Sequence, residues 1–582
     1  PQLQLDYLKI AHAALYCSNF YAAILYMELW SSQTRAVNPG GCTTLDSIFE
    51  TETADITTII RTTLKQSFTA LGDLYALYGS NFFDNLHPED GLEAWEQLSK
   101  WDEVIVDYDI LIANGQTDKT AALINAWKNY GCFSTATLFK GPQIDYECLW
   151  RLNRFNNDDF KGTPTDPYEK SKCESLKWLH ENDYGLFNAA IKDARQYVIE
   201  AIRRTSLERT KDLYGCLTKL QSIQELEDAA NAKCDLGLQS LLLKWKEQDC
   251  LAKIDFQSIE PIKAQRISIL NALAKNSQND SKESLMELYL DLAEIAKNEG
   301  YFNVAKRAVR NLHCLSQGSQ KYDCLRIFQE AQISWLMGNK MRAKYLLKDL
   351  LKTNENDPRL KFASLKMYGK WMAETRSESP DTILNDYFLG SLKIIRGIDL
   401  TNKDKQNVFA TYDVIARFAD AEYERILSYI RSTEFERKLK NMEESKRTAS
   451  KIESQNKNLS YDQRRAATIH KKQSLIDETE IENTYRERDT YWKLAMKYYL
   501  ISLQDSDIGD ISVFRVLSLL LENRSFKGSE NLLEECLPRI PSYKFIPILP
   551  QLAPHLTNST KDDFGKLVAR IIGKKLKTTI TV

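Results

Sequence analysis

A spacing that occurs twice constrains this chain more than any other feature. Ala293, Gly300 and Ala305 stand seven and five residues apart, and Ala331, Gly338 and Ala343 repeat those offsets 38 residues later. Leu288, Leu292, Ile295 and Val309 surround the first set, and Ile327, Ile333, Trp335, Leu346 and Leu347 the second. Small residues at fixed places let two antiparallel helices approach, and a glycine between them ends the first helix. A period close to that of tetratricopeptide repeats predicts helical hairpins. Each hairpin covers its apolar face only against neighbours, so more of them must flank this pair. The same offsets recur at Ala11, Ser18 and Ala23, with Ser in the glycine's place, and Gly131 and Ala136 keep the second interval.

At 582 residues the chain is too long for one ordinary core. Glycine (22) and proline (14) are sparse, which favours long helices. The predicted fold is all-α: an α-solenoid of tetratricopeptide-like helical hairpins with a long projecting helical hairpin. Four stretches are expected. Residues 1–275 form the N-terminal part of the solenoid, 276–400 the central repeats, 401–510 a long charged hairpin, and 511–582 the C-terminal helices. Residues 398–508 contain neither Gly nor Pro. Within them Glu434–Lys472 holds eleven basic and six acidic residues, and Gln473–Thr490 two and six. Opposite excess charge favours folding these arms together, with the turn near Asn456–Ser460. Ser31–Asp55 and Asn156–Pro167 are expected loops, and Ser258 with Glu260-Pro261 is expected to open a helix at Ile262. The chain starts at Pro1, and its last helical run, Phe564–Lys577, trails into a Thr/Ile/Val tail, so it reads as a piece of something longer.

The residues offer little chemistry. Net charge is −2 from 78 basic and 80 acidic residues, so nothing drives the whole chain toward nucleic acid or an anionic membrane. No apolar run approaches ~18–20 residues, so no membrane span is expected. Eleven scattered cysteines without a C-x-x-C pair suggest reduced thiols in the cytosol or nucleus. There is no phosphate-cradling glycine loop and no nucleophile elbow. Asp563-Phe564-Gly565 matches a kinase motif but has no catalytic loop upstream, so chance is the better reading. His313, Cys314 and Cys324 lack a fourth zinc ligand and a zinc spacing. The tryptophans at 95, 101, 127, 335, 371 and 492 fall on apolar faces and read as core. No catalytic, metal or cofactor-binding residue is assigned. Arg464, Arg465, Lys471 and Lys472 form the best candidate interaction surface, against a plain reading as a solvated helix face.

Several segments resemble one family. Ser512–Asn523 (SVFRVLSLLLEN) is similar to the F-R-x-x-S-L-W-L-E-N helix of phosphatidylinositol-3-kinase-related protein kinases. Phe514, Arg515, Ser518, Leu519, Leu521, Glu522 and Asn523 carry the match, and Leu520 stands where the family usually has Trp. Ile540–Leu552 resembles the segment that closes their FAT domain, through Pro541, Tyr543, Lys544, Phe545 and Pro547. Leu365–Pro380, with Gly369-Lys-Trp-Met-Ala-Glu-Thr, and Phe418–Phe435 (FADAEYERILSYIRSTEF) resemble the ataxia-telangiectasia mutated (ATM) branch, as does Leu5–Glu28.

The resemblance implies a FAT domain: a helical clasp around a kinase domain that is absent from this chain, with dimer contacts to a second protomer. It implies a nuclear Ser/Thr kinase of the DNA double-strand-break response and telomere maintenance, acting on Ser or Thr before Gln. ATP and magnesium would belong to that kinase domain. Protein partners of the damage response are expected, and neither direct nucleic-acid contact nor a membrane. Ser32 precedes Gln33 at the start of an expected loop, which makes it a candidate phosphosite. The alternative is a free-standing tetratricopeptide-like adaptor that binds peptides or proteins.

Overall fold

The small residues of the repeated spacing sit where helices meet. A computed structural model describes residues 6–37, 54–73, 75–76, 92, 95–96, 98–139, 143–155, 163–205, 210–232, 235–251, 256–273, 280–353, 357–455, 461–505, 511–522, 533, 535–548 and 550–551. Two compact units divide the chain, Pro1–Ala343 and Lys344–Val582. The described elements are helices, apart from a two-residue parallel pairing of β1 (Gln143–Ile144) with β2 (Thr163–Pro164).

The first unit opens with α1 (Tyr7–Tyr16), α2 (Phe20–Val37) and α3 (Ala54–Leu71). It continues with α4 (Trp101–Ala113), α5 (Thr120–Asn129), α6 (Phe133–Ala136) and α7 (Tyr146–Arg151). Next come α8 (Pro167–Glu181), α9 (Tyr184–Arg204), α10 (Thr210–Asn231), α11 (Asp235–Leu251) and α12 (Phe256–Leu273). The two regular hairpins are α13 (Asp280–Asn298) with α14 (Phe302–Leu315), and α15 (Gln320–Leu336) with α16 (Lys340–Thr353), and the unit boundary falls within α16.

Both regular hairpins turn in the same way. Gly300 and Gly338 each adopt φ +84°, which a side chain would strain. The next amide closes the turn in each: Tyr301 N–H donates to the Ala296 carbonyl at 2.8 Å, and Asn339 N–H to that of Ser334 at 2.9 Å. Ala293, Ala305, Ala331 and Ala343 are all fully buried. The weaker matches obey the same rule. Ser18 has φ 57° between buried Ala11 and Ala23, and Gly131 has φ +86° ahead of buried Ala136.

Aspartates start many of the helices. Asp145, Asp166 and Asp183 each accept from the first-turn amides of α7, α8 and α9, satisfying donors that a helix start leaves open. The amphipathic faces of α7–α14 then close over a shared core that includes Trp150, Phe187, Trp245, Leu270 and Leu292.

Two expectations are corrected here. Ser31–Val37 continues α2 and is not loop. The rest of that expected loop, 38–53, lies outside the described residues, as do 156–162 of the second loop. Helix α12 begins at Phe256, so Pro261 lies inside it rather than opening it. A proline there lacks one N–H and crowds the preceding turn, which costs roughly 3 kcal/mol. Phe256 offsets much of this: it is buried, its ring stacks on Tyr301 at 4.1 Å, and such burial is worth about 1.5–3 kcal/mol.

The second unit holds α17 (Pro358–Thr375), then α18 (Pro380–Thr382), a π-helical turn Ile383–Phe388, and α19 (Leu389–Ile395). Then follow α20 (Asn402–Ile430), α21 (Thr433–Gln455), α22 (Tyr461–Ser502) and α23 (Ser512–Glu522), with short 3-10 turns at Leu537–Arg539 and Ser542–Ile548. The charged hairpin is α21 with the first part of α22. Its arms pair as their charges suggest: Lys438 with Glu480, and Lys446 with Glu478 at 2.7 Å. Phe435 is buried at its base, edge-on to Tyr485 at 5.8 Å. The connecting residues 456–460 lie outside the described ones. Beyond the hairpin, α22 packs along α20, where Tyr412 stacks on Tyr498 at 5.8 Å.

Candidate functional site

The second unit gathers its polar side chains around the helix that carries the family-like motif. Arg515 of α23 donates from Nε and Nη2 to both carboxylate oxygens of Asp420 on α20, at 2.8 and 2.7 Å. Nη2 also reaches Glu424, one turn along α20. Asp420 accepts a third bond, from the Tyr499 hydroxyl of α22 at 3.1 Å. One buried carboxylate thus ties three helices, in the two-pronged geometry that only a guanidinium supplies. Burial pushes the Tyr499 phenol up, and the Asp420 charge adds to it.

Neighbouring contacts fix the same helix. Ser512 Oγ donates to Asp413 at 3.0 Å, and Trp492 Nε1 donates to the Leu519 carbonyl at 3.2 Å. The buried Lys544 donates to the Asp505 carbonyl. These bonds join α20, α22 and α23, so the arrangement holds helices in place.

The expected residues fall unevenly. Leu519 and Phe545 are buried, Leu521 and Pro541 are half-buried, Ser518 donates to Glu522 at 3.2 Å, and Phe514, Tyr543 and Pro547 are exposed. Asn523 lies outside the described residues. Ser32 is exposed but helical: its Oγ donates to the Glu28 carbonyl at 2.8 Å, so it does not open a loop. Arg465, Lys471 and Lys472 are exposed on α22, and the side chain of Arg464 is outside the described ones. Cys314 is exposed and Cys324 buried, and no metal-holding group of His, Cys, Asp or Glu occurs among the described residues. Nor is any described helix long and apolar enough to cross a membrane. Sequence reasoning missed Asp420 and Tyr499, although Arg515 in the motif was a signal that an acid should face it.

The first unit has its own charged cluster. Arg151 pairs with Glu147 at 3.0 Å and Glu260 at 2.7 Å, while Lys128 pairs with Asp145 at 2.9 Å and Glu147 at 3.0 Å. Burial alone would raise the Glu147 carboxyl, but Arg151 and Lys128 outweigh it and hold it at about 2 against an ordinary 4.5. A depressed acid stabilises the fold above its unfolded value and loses that effect as pH falls toward its folded one. Glu147→Gln should therefore cost about 2 kcal/mol at pH 6. That deficit should shrink between pH 4.5 and pH 2. Urea denaturation of both proteins across this range checks it, and a deficit independent of pH would contradict it.

The FAT domain profile matches residues 142–518, well over half of the chain. The chain belongs to the FAT domain family. It is 26% identical to the serine-protein kinase ATM of Sus scrofa, over 97% of this chain and 20% of that protein. The chain thus spans about a fifth of that relative's length. A solved structure described as the FAT and kinase domain of CtTel1 superposes with a TM-score of 0.72 at 17% identity, covering 98% of this chain and 39% of that one. A second, the complete CtTel1 dimer with C2 symmetry, gives 0.70 over 98% of this chain and 21% of that one. At such identity the agreement is one of fold: an all-α solenoid of helical hairpins.

Proposed function

We propose that this FAT domain is the non-catalytic regulatory scaffold of an ATM-like Ser/Thr protein kinase. It clasps its own kinase domain and supports a homodimer in the nucleus, in the double-strand-break response and telomere maintenance. ATP and magnesium serve the kinase domain. The observation that carries this reading is the family match, which runs through both units and includes Arg515. The names of the relatives, kinases of the ATM type, support it. So do the exposed apolar side chains Ile511, Phe514, Tyr543 and Ile546 at the C-terminal end, where a large neighbour would cover them.

The charged hairpin is proposed to touch another protein through Arg464, Arg465, Lys471 and Lys472. Deleting Met442–Asp477 from the intact protein should weaken assembly about tenfold or more. Its melting temperature should barely change, because few large apolar residues are buried among the described residues of that stretch. A large fall in melting temperature with assembly intact sinks this proposal. Ser32, exposed before Gln33, is proposed as a phosphoacceptor for the same kinase. Phosphopeptide mapping of the activated protein that finds Ser32 unmodified overturns that.

A further inference from the structure

A cavity of about 410 Å³ opens among α7, α12, α13 and α14 of the first unit. Its lining has two characters. Ile267, Leu285, Leu292 and Leu315 make an aliphatic wall. Arg307, Asn271, Tyr289 and Asn311 supply the polar part. Among the described residues no carboxylate lines this cavity.

Charge in the cavity is not balanced. Arg151 also lines it, but its guanidinium is matched by Glu147 and Glu260. Arg307 is matched less closely. It donates to the neutral Gly131 carbonyl at 2.7 Å and lies over the Phe133 ring at 4.8 Å. The one carboxylate within 4 Å of it among the described residues is Glu260, at 3.8 Å. That same Oε1 atom is taken by Arg151 at 2.7 Å. Burial pulls the Arg307 guanidinium below its ordinary range, as expected for a cation short of counter-charge.

We propose that this cavity binds a small organic monoanion, a carboxylate at Arg307 and Asn311 with its aliphatic chain against Leu285 and Leu292. One loosely paired guanidinium suits one negative charge. A phosphate dianion would remain half-compensated, and the aliphatic wall would strip its water for nothing in return. A neutral apolar molecule would leave Arg307 as it is. Cys314 is exposed at the cavity, seven residues after Arg307 on the same helix, and reports occupancy.

The test uses the full chain and hexanoate as probe, with hexanamide and inorganic phosphate as controls. The readout is the iodoacetamide alkylation rate of the Cys314 peptide by mass spectrometry, with exposed Cys17 as internal reference. Hexanoate at about twice its dissociation constant should slow Cys314 about threefold. Cys17 should be unaffected, and neither control should protect. Arg307→Gln should abolish protection. Asn311→Asp, which puts a carboxylate into the lining without removing a packing group, should abolish it too and decides the matter if Arg307→Gln fails to fold. Absent protection, equal protection by hexanamide or phosphate, or full protection in Asn311→Asp overturns the proposal.

Discussion

Arg515→Met should lower the stability of the second unit by about 2–3 kcal/mol, near the low end for breaking a buried ion pair. The methionine keeps the aliphatic stem in place. What is lost is the pair of bonds to Asp420, whose side chain is only 13% exposed and keeps a single donor, Tyr499. Arg515 itself is 28% exposed and Glu424 45%, so water screens part of the interaction and the upper end of the range does not apply. For a unit of this size the loss corresponds to roughly 4–10 °C in melting temperature. Arg515→Lys should recover only part of it, because an ammonium cannot hold both oxygens of Asp420 at once. Differential scanning calorimetry of the three proteins decides it. A melting temperature for Arg515→Met within about 1 °C of the parent would show that the three-helix tie contributes little.

Gly369→Val should be the more damaging change. Gly369 lies mid-way along α17, where it crosses the π-helical turn. A Cβ there would come within 2.9 Å of Tyr387 Cβ and 3.0 Å of Phe388 Cε1. Phe388 has nowhere to retreat, since it is fully buried and edge-on to Phe418 at 5.6 Å. Replacing a helical glycine by alanine ordinarily gains about 0.5–1 kcal/mol from chain entropy. Overpacking costs about 1–3 kcal/mol. Gly369→Ala should thus come out modestly destabilising and Gly369→Val by about 3 kcal/mol or more, because it adds two methyls to a Cβ already crowded by Tyr387 and Phe388. Guanidinium unfolding should rank the proteins parent, Ala, Val. Gly369→Ala more stable than the parent would show that the crossing is looser than it looks.

Local features were legible in the sequence wherever the cause was local. The Ala–Gly–Ala spacing foretold two turns at φ +84°, and even the irregular copy at Ser18 keeps a positive φ. The charge contrast of the hairpin arms pointed to their folding together, and Lys446 does meet Glu478 across them. Where tertiary contacts decide, the sequence was silent. Nothing near Arg515 marks Asp420, 95 residues earlier, as its partner. Nothing near Pro261 shows that Phe256 will find Tyr301 and hold an extra turn. The polar composition of Ser31–Val37 suggested a loop, yet those residues continue a helix whose apolar residues lie earlier in it. Gly369 was visible as part of a motif, but its reason is the ring of Phe388 on a later element.

The scaffold reading is tested most directly by mixing the purified chain with the kinase domain of its own protein and measuring the mass of what forms. A stable complex of the two is expected, weakened by Arg515→Met in step with its loss of stability. No complex with the kinase domain, together with capture of short peptides by the α13–α16 repeats, contradicts it and favours the adaptor.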